Sequence, residues 1–285
     1  MSDANARVTH GIDSILDLNA LPWTLREQLY VRLIPEELLS RFGVVRATLR
    51  NGAGERPVRI AAPDDASWAR VELRDPRDDR DPAVLIDIAM SAFGVPELTF
   101  VQINDPRSPR YGVDRDVDGQ DTLLGTVSRN LGEEARALGD GLGPGQIRRG
   151  LRMLGRVLEC MDAFCRLLGR EFYLVEPLFY HSAILYERQG CDYLMGRELM
   201  DEIHAELRDG GTLHARLDDS TPFRRRGCEG TVRGRSWAIH DGLLSGSAVG
   251  GWSGVKMYRV PGRHSAVATF PGGPYLSRWA GCVRR

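Results

Sequence analysis

Apolar residues at Ile147, Leu151, Leu154, Leu158, Met161, Cys165 and Leu168 recur at alternating steps of four and three, while Arg149, Arg152, Arg156, Glu159 and Arg166 fall elsewhere around the turn. That period predicts a long amphipathic helix beginning near Gln146, with one face in a core and the other in water. Phe172-Tyr-Leu-Val175 follows as a short unbroken apolar run, which predicts a buried strand inside a mixed sheet. Pro177 then opens a loop, and a short helix carries Leu185, Tyr186 and Glu187 before Gly190 closes it.

Upstream, residues 1–43 read as helical. Thr24-Leu-Arg-Glu27 has a capping-box pattern for a helix to about Leu33, Pro35 suits the first turn of the next, and Gly43 suits its end. Strands are expected over 44–49, 57–61, 68–73, 84–88 and 97–103, separated by turn-rich segments. The segment 105–145 is polar, with one helix over 131–138 opened by Asn130-x-x-Glu133. A helix over 197–207 stops at Asp209-Gly-Gly, and 212–217, 237–240, 255–259 and 266–270 have a strand-like composition. The expectation is an α+β fold, a mixed and mostly antiparallel sheet flanked by helices. It divides into a helical addition at 1–43, a core at 44–210 with a polar insertion at 105–145, and a β-rich extension at 211–285.

Composition narrows the function classes. Of 285 residues, 42% are apolar and 27% charged, as in an ordinary globular chain, and a net charge of −1 gives no long-range attraction to nucleic acid or an anionic membrane. Lys256 is the sole lysine, so clustered arginines reflect a composition bias before they suggest anion binding. Cys160, Cys165, Cys191, Cys228 and Cys282 are odd in number and contain no Cys-x-x-Cys pair, which fits a reducing cytoplasm. The first seven residues lack the apolar stretch of a signal peptide, and no apolar run has the length of a membrane span. A cytoplasmic, bacterial-type protein is expected, and homo-oligomers are compatible with it.

Several segments carry candidate chemistry. Gly143, Gly145, Gln146, Arg148, Arg149 and Gly150 lie where the long helix is expected to start, and glycines before a helix N-terminus admit a phosphate to unpaired N–H groups. The same glycines also suit a linker between two helices. Asp114-x-Asp116-x-Asp118-Gly119 has the alternate carboxylates of a calcium loop, but Asp121 and Gly125 occupy the places where such a loop wants an apolar residue and Glu, and a hairpin turn suits it better. His10, His181, His204, His214, His240 and His264 show no metal-ligand spacing, so no metal is expected. Arg224, Arg226 and Arg235, in and after the polar loop at 218–226, together with His240 and Asp241, form the candidate substrate-side group.

Helix, strand and short helix bearing Leu185-Tyr186-Glu187-x-x-Gly190 resemble the second half of a GCN5-related N-acetyltransferase domain, over about residues 145–195. The family usually reads Asn-x-x-Ala-x-x-Leu-Tyr-Glu-x-x-Gly-Phe. Here Phe179, Ser182 and Cys191 stand at the Asn, Ala and Phe positions. Its coenzyme-binding pattern, Gln/Arg-x-x-Gly-x-Gly/Ala, meets Ile147 at the first position and Arg152 at the last when Gly150 is the first glycine. The resemblance implies acetyl-CoA or another acyl-CoA as cofactor and a small-molecule amine or peptide as acceptor. It implies Tyr186 as the acid that reprotonates the coenzyme A sulfur, with Glu176 or Glu187 as candidate base. The rival expectation is a ligand-binding or protein-interaction module of the same fold whose coenzyme site has degenerated.

Overall fold

The computed structural model describes residues 11–77 and 80–276. His10, Cys282, the first ten residues of the expected helical addition and the seven residues read for a signal peptide lie outside them. The chain forms two compact units. The first comprises Met1–Arg107, Gly150–Glu176 and Tyr258–His264, and the second Ser108–Arg149, Pro177–Met257 and Ser265–Arg285.

Among the described residues there are nine α-helices: α1 Ile15–Asn19, α2 Trp23–Tyr30, α3 Glu36–Arg41, α4 Leu131–Gly139, α5 Leu154–Leu167, α6 Tyr180–Arg188, α7 Arg197–Glu206, α8 Thr212–Ala215 and α9 Val232–His240. The strands are β1 Val58–Ala61, β2 Trp68–Leu73, β3 Val84–Met90, β4 Pro96–Ile103, β5 Tyr173–Val175, β6 Asp192–Met195 and β7 Lys256–Arg259, in one mixed sheet of order β1-β2-β3-β4-β5-β7-β6. The fold is α+β.

In the first unit β1 to β4 form an antiparallel meander. Alternation puts Ala69, Val71 and Leu73 of β2 and Val84, Ile86 and Ile88 of β3 on one buried face, and Trp68, Arg70 and Asp87 on the other. On that second face Arg70 grips Asp87 through two bonds of 2.7 Å. Pairing of β3 with β4 passes from Asp87↔Phe100 to Ile88↔Leu98, so Thr99 is the extra residue of a bulge. β4 then pairs in parallel with β5, through Glu97↔Leu174 and Leu98↔Val175. All three β5 residues are buried, as their apolar run requires. Against this core, Tyr30 of α2 stacks on Phe164 of α5 with centroids 5.9 Å apart. The buried carboxylate of Asp162 accepts from Arg259 at 2.8 and 3.1 Å and from Tyr173 at 3.0 Å.

Several elements differ from the sequence expectation. The long helix begins at Leu154 rather than near Gln146. Arg152 has φ +59°, a left-handed conformation that ends any helix running through it, while Gly150 makes a bridge with Asn104. Residues 44–49 form turns joined by one bridge between Val45 and Arg50 instead of a strand. The β-rich extension is also corrected. Residues 212–215 and 237–240 belong to helices, and 266–270 form no strand. In α9 the Thr231 hydroxyl accepts from the Gly234 N–H at 2.9 Å, an N-cap that commits the following residues to a helix.

Candidate functional site

A cluster of charged side chains in the second unit joins α4 and α9. Asn130 caps α4 by accepting from the Glu133 N–H at 3.3 Å, which fixes the first turn and sets Glu134 facing inward, 2% exposed. His240 is the last residue of α9, and its Nε2 lies 3.1 Å from Oε1 of Glu134. Arg129 bridges the two halves. Its Nε donates to Glu134 Oε2 at 2.9 Å and its Nη1 to Asp241 Oδ1 at 2.8 Å. Asp241 also accepts from Thr221 Oγ1 at 2.8 Å and from Arg224 Nε at 2.9 Å. Burial alone raises the pKa of Glu134, but the hydrogen bonds of His240 and Arg129 outweigh it and hold the carboxyl below the usual glutamate value.

This network unites three of the five candidate substrate-side residues, Arg224, His240 and Asp241. Arg226 instead donates to the Leu217 carbonyl at 3.0 Å from an exposed position. Arg235 is buried elsewhere, with Nη1 2.9 Å from Nδ1 of His204 and its guanidinium 3.5 Å from the centroid of Phe270. Arg129 and Glu134 were not candidates from sequence. Asn130-x-x-Glu133 located their helix, yet no local pattern pairs Glu134 with a histidine 106 residues away.

The imidazole of His240 is walled by rings. Phe179 and Trp237 meet it edge-on with centroids 5.6 and 5.7 Å away. Phe179 also stacks on His181, which bonds through Nδ1 to Ser236 Oγ at 2.8 Å. Complete burial, reinforced by nearby His240, pushes the His181 pKa down to about 3, so the ring is neutral.

The glycines expected to cradle phosphate serve these rings. A Cβ on Gly143 would lie 3.0 Å from Cε1 of His181, and one on Gly145, at φ +75°, would lie 2.5 Å from Phe179. Gln146 accepts from the Gly143 N–H at 2.5 Å, and buried Arg148 donates to the Ser108 carbonyl at 2.8 Å. The Arg149 backbone N–H bonds Ser108 Oγ at 3.1 Å. Gly150, in the other unit, lies against the Ile103 carbonyl. These six residues therefore do not open onto a helix N-terminus. In the first unit that terminus is at α5. There Met153 provides no side-chain cap, and the exposed Arg152 precedes Leu154-Gly155-Arg156. Beside it, the β4–β5 ladder ends at Leu98, and the half-buried residues 99–103 have no strand partner on that edge among the described residues.

Tyr186 sits on α6 in the second unit. Its ring is buried, and its hydroxyl makes no hydrogen bond among the described residues. Burial, with a smaller contribution from Cys191, raises its pKa, so the oxygen is protonated at neutral pH. Glu187, next in sequence, is fully engaged. It accepts from Tyr193 Oη at 2.6 Å, from Thr269 Oγ1 at 2.5 Å and from the Thr269 N–H at 3.1 Å. Glu176, the last residue of the first unit's segment Gly150–Glu176, is exposed just after β5.

In the segment 114–121, Asp116 accepts from the N–H groups of Asp118 and Gln120 and from Ser128 Oγ, and Asp114 pairs with Arg110. Those bonds are those of a turn. Among the described residues no group of three side chains is placed to hold a metal ion, and no helix is long and apolar enough to cross a membrane.

No family model matches the chain, and no curated protein or solved structure does either.

Proposed function

We propose that the protein transfers an acyl group from an acyl-coenzyme A to an amine. The observation that carries this reading is the hydroxyl of Tyr186, protonated, attached to a buried ring and without a hydrogen-bond partner among the described residues. A tyrosine buried for packing alone commonly finds a partner for its oxygen. The order α5, β5, α6 around Leu185-Tyr186-Glu187-x-x-Gly190 is the arrangement in which the N-acetyltransferase resemblance assigns tyrosine this role.

Each part rests on geometry within one unit. In the first, the uncapped first turn of α5 and Arg152 are suited to hold phosphate oxygens, because free N–H groups, the helix dipole and a guanidinium all favour an anion. The edge of β4 from Thr99 to Gln102, which no strand pairs among the described residues, offers backbone groups to amides such as those of a pantetheine arm. The coenzyme supplies an activated acyl thioester. Tyr186, in the second unit, would supply from Oη the proton that a leaving thiolate takes up. Glu187 is committed to Tyr193 and Thr269, and of the two candidate bases Glu176 is the one exposed to solvent.

One observation favours the rival module without catalysis: Gly143 and Gly145 are used in ring packing. Tyr186→Phe separates the two readings. Release of free coenzyme A from acetyl-CoA in the presence of an amine panel should fall about 100- to 10,000-fold if the hydroxyl is the acid. Release equal to that of the parent would remove Tyr186 from the mechanism, and none from the parent would favour the module.

A further inference from the structure

We propose that residues 123–127 form a lid over a carboxylate-oriented imidazole, that of His240, and that the lid opens without unfolding of the unit around it. The inference is independent of acyl transfer and rests on four observations within the second unit.

The first is the imidazole itself. A carboxylate only accepts, so the contact with Glu134 places the hydrogen of a neutral His240 on Nε2. The lone pair is then at Nδ1, which has no hydrogen-bond partner among the described residues. Such a ring is oriented as a base, with Glu134 as its positioning residue.

The second observation is backbone strain. Leu123, Leu124 and Gly125 have φ of +46°, +59° and +82°, three successive left-handed residues of which two carry branched side chains. L-residues enter this region singly and at a cost, and a closed turn of this kind persists only while its surroundings hold it. The third is exposure. Leu123 and Val127 are 57% and 72% exposed, so their side chains do little to pin the turn.

The fourth is the tether. Gly125 and Thr126 donate within the segment or to Thr122, and Val127 donates to Thr122. Leu123 donates to Asp121. Among the described residues the side-chain hydrogen bonds that tie the segment to the rest of the unit lie at its ends, from buried Thr122 to the Val113 carbonyl and from Ser128 to Asp116. Between these hinges the contact that closes it is Gly125 against the imidazole, so close that a Cβ there would lie 2.5 Å from Cε1 of His240. Strain that favours opening is thus set against the packing of Gly125 and of the partly covered Leu124.

The test is the rate at which diethyl pyrocarbonate acylates each histidine of the folded full-length chain, read by peptide mass mapping. Exposed His264 calibrates the reagent, and fully buried His181 reports global unfolding. In the parent, His240 should react more slowly than His264 and far faster than His181. Asparagine tolerates the left-handed region, so the double variant Leu123→Asn/Leu124→Asn should hold the lid shut and slow His240 relative to His264 by about tenfold. Gly125→Ala, which forces the contact apart, should speed it. A His240 rate that is unchanged or faster in the asparagine variant overturns the proposal, even if Gly125→Ala fails to fold. So does a His240 rate that follows His181.

Discussion

Glu134 Oε1 and His240 Nε2 meet at 3.1 Å, and the same carboxylate takes two donors from Arg129, so one buried acid holds both an imidazole and a guanidinium. Removing it leaves Arg129 with Asp241 as its one ion-pair partner among the described residues. Glu134→Ala should therefore lower unfolding free energy by about 3–5 kcal/mol, and Glu134→Gln, which keeps shape and an acceptor, by clearly less. Urea denaturation of the three proteins at neutral pH checks the order.

The pH dependence of stability should show two windows. His181 binds a proton at about 3 in the fold and near its ordinary 6.5 when unfolded, so the unfolded chain takes up more protons between those values. Stability falls as pH drops through 6.5 towards 3, and His181→Asn should remove that slope. Glu134 is depressed below 4.5 in the fold, so its contribution is present above 4.5 and is lost as pH falls further. Thermal melts across this range, on parent and variant, test both signs.

Gly145→Ala puts a methyl 2.5 Å from the Phe179 ring at φ +75°, and a loss of about 1–3 kcal/mol is expected from overpacking and backbone strain together. Affinity for acyl-coenzyme A should not change, because this glycine serves packing. A variant of parental stability with weakened coenzyme binding would return the glycine run to the coenzyme site.

Arg152→Gly should act in opposite directions on two measurements. It relieves a left-handed φ and so should leave stability unchanged or raise it by up to about 1 kcal/mol. It also removes a guanidinium from the start of α5, so any coenzyme affinity should fall and its salt dependence weaken. A residue with a purely structural role would not divide the two readouts in this way.

The parts of this structure that were legible in the sequence are those with long or unbroken patterns. The meander strands, buried β5 and the helix of Tyr186 all follow from local apolar order. The start of α5 did not, because the apolar period continues through Ile147 and Leu151 although Arg152 breaks the backbone. Residues 237–240 gave too short a window to separate strand from helix, and the Thr231 cap that decides it lies six residues upstream of Trp237. Of the candidate site, Arg224, His240 and Asp241 were named, but the ion pairs that join them run through Arg129 and Glu134, remote in sequence and local only in space. The glycine run was visible as a close-approach signal. Whether phosphate or an aromatic ring makes that approach depends on Phe179 and His181, which no spacing rule connects to it.

The central claim is tested most directly by titrating the folded, full-length protein with acetyl-CoA under native mass spectrometry, with the Arg152→Gly variant alongside. Acyl-coenzyme A dependence predicts a one-to-one complex with the parent that survives desalting and is weakened in the variant. A parent that shows no complex with acetyl-CoA or with longer acyl-coenzyme A esters at millimolar concentration would contradict it.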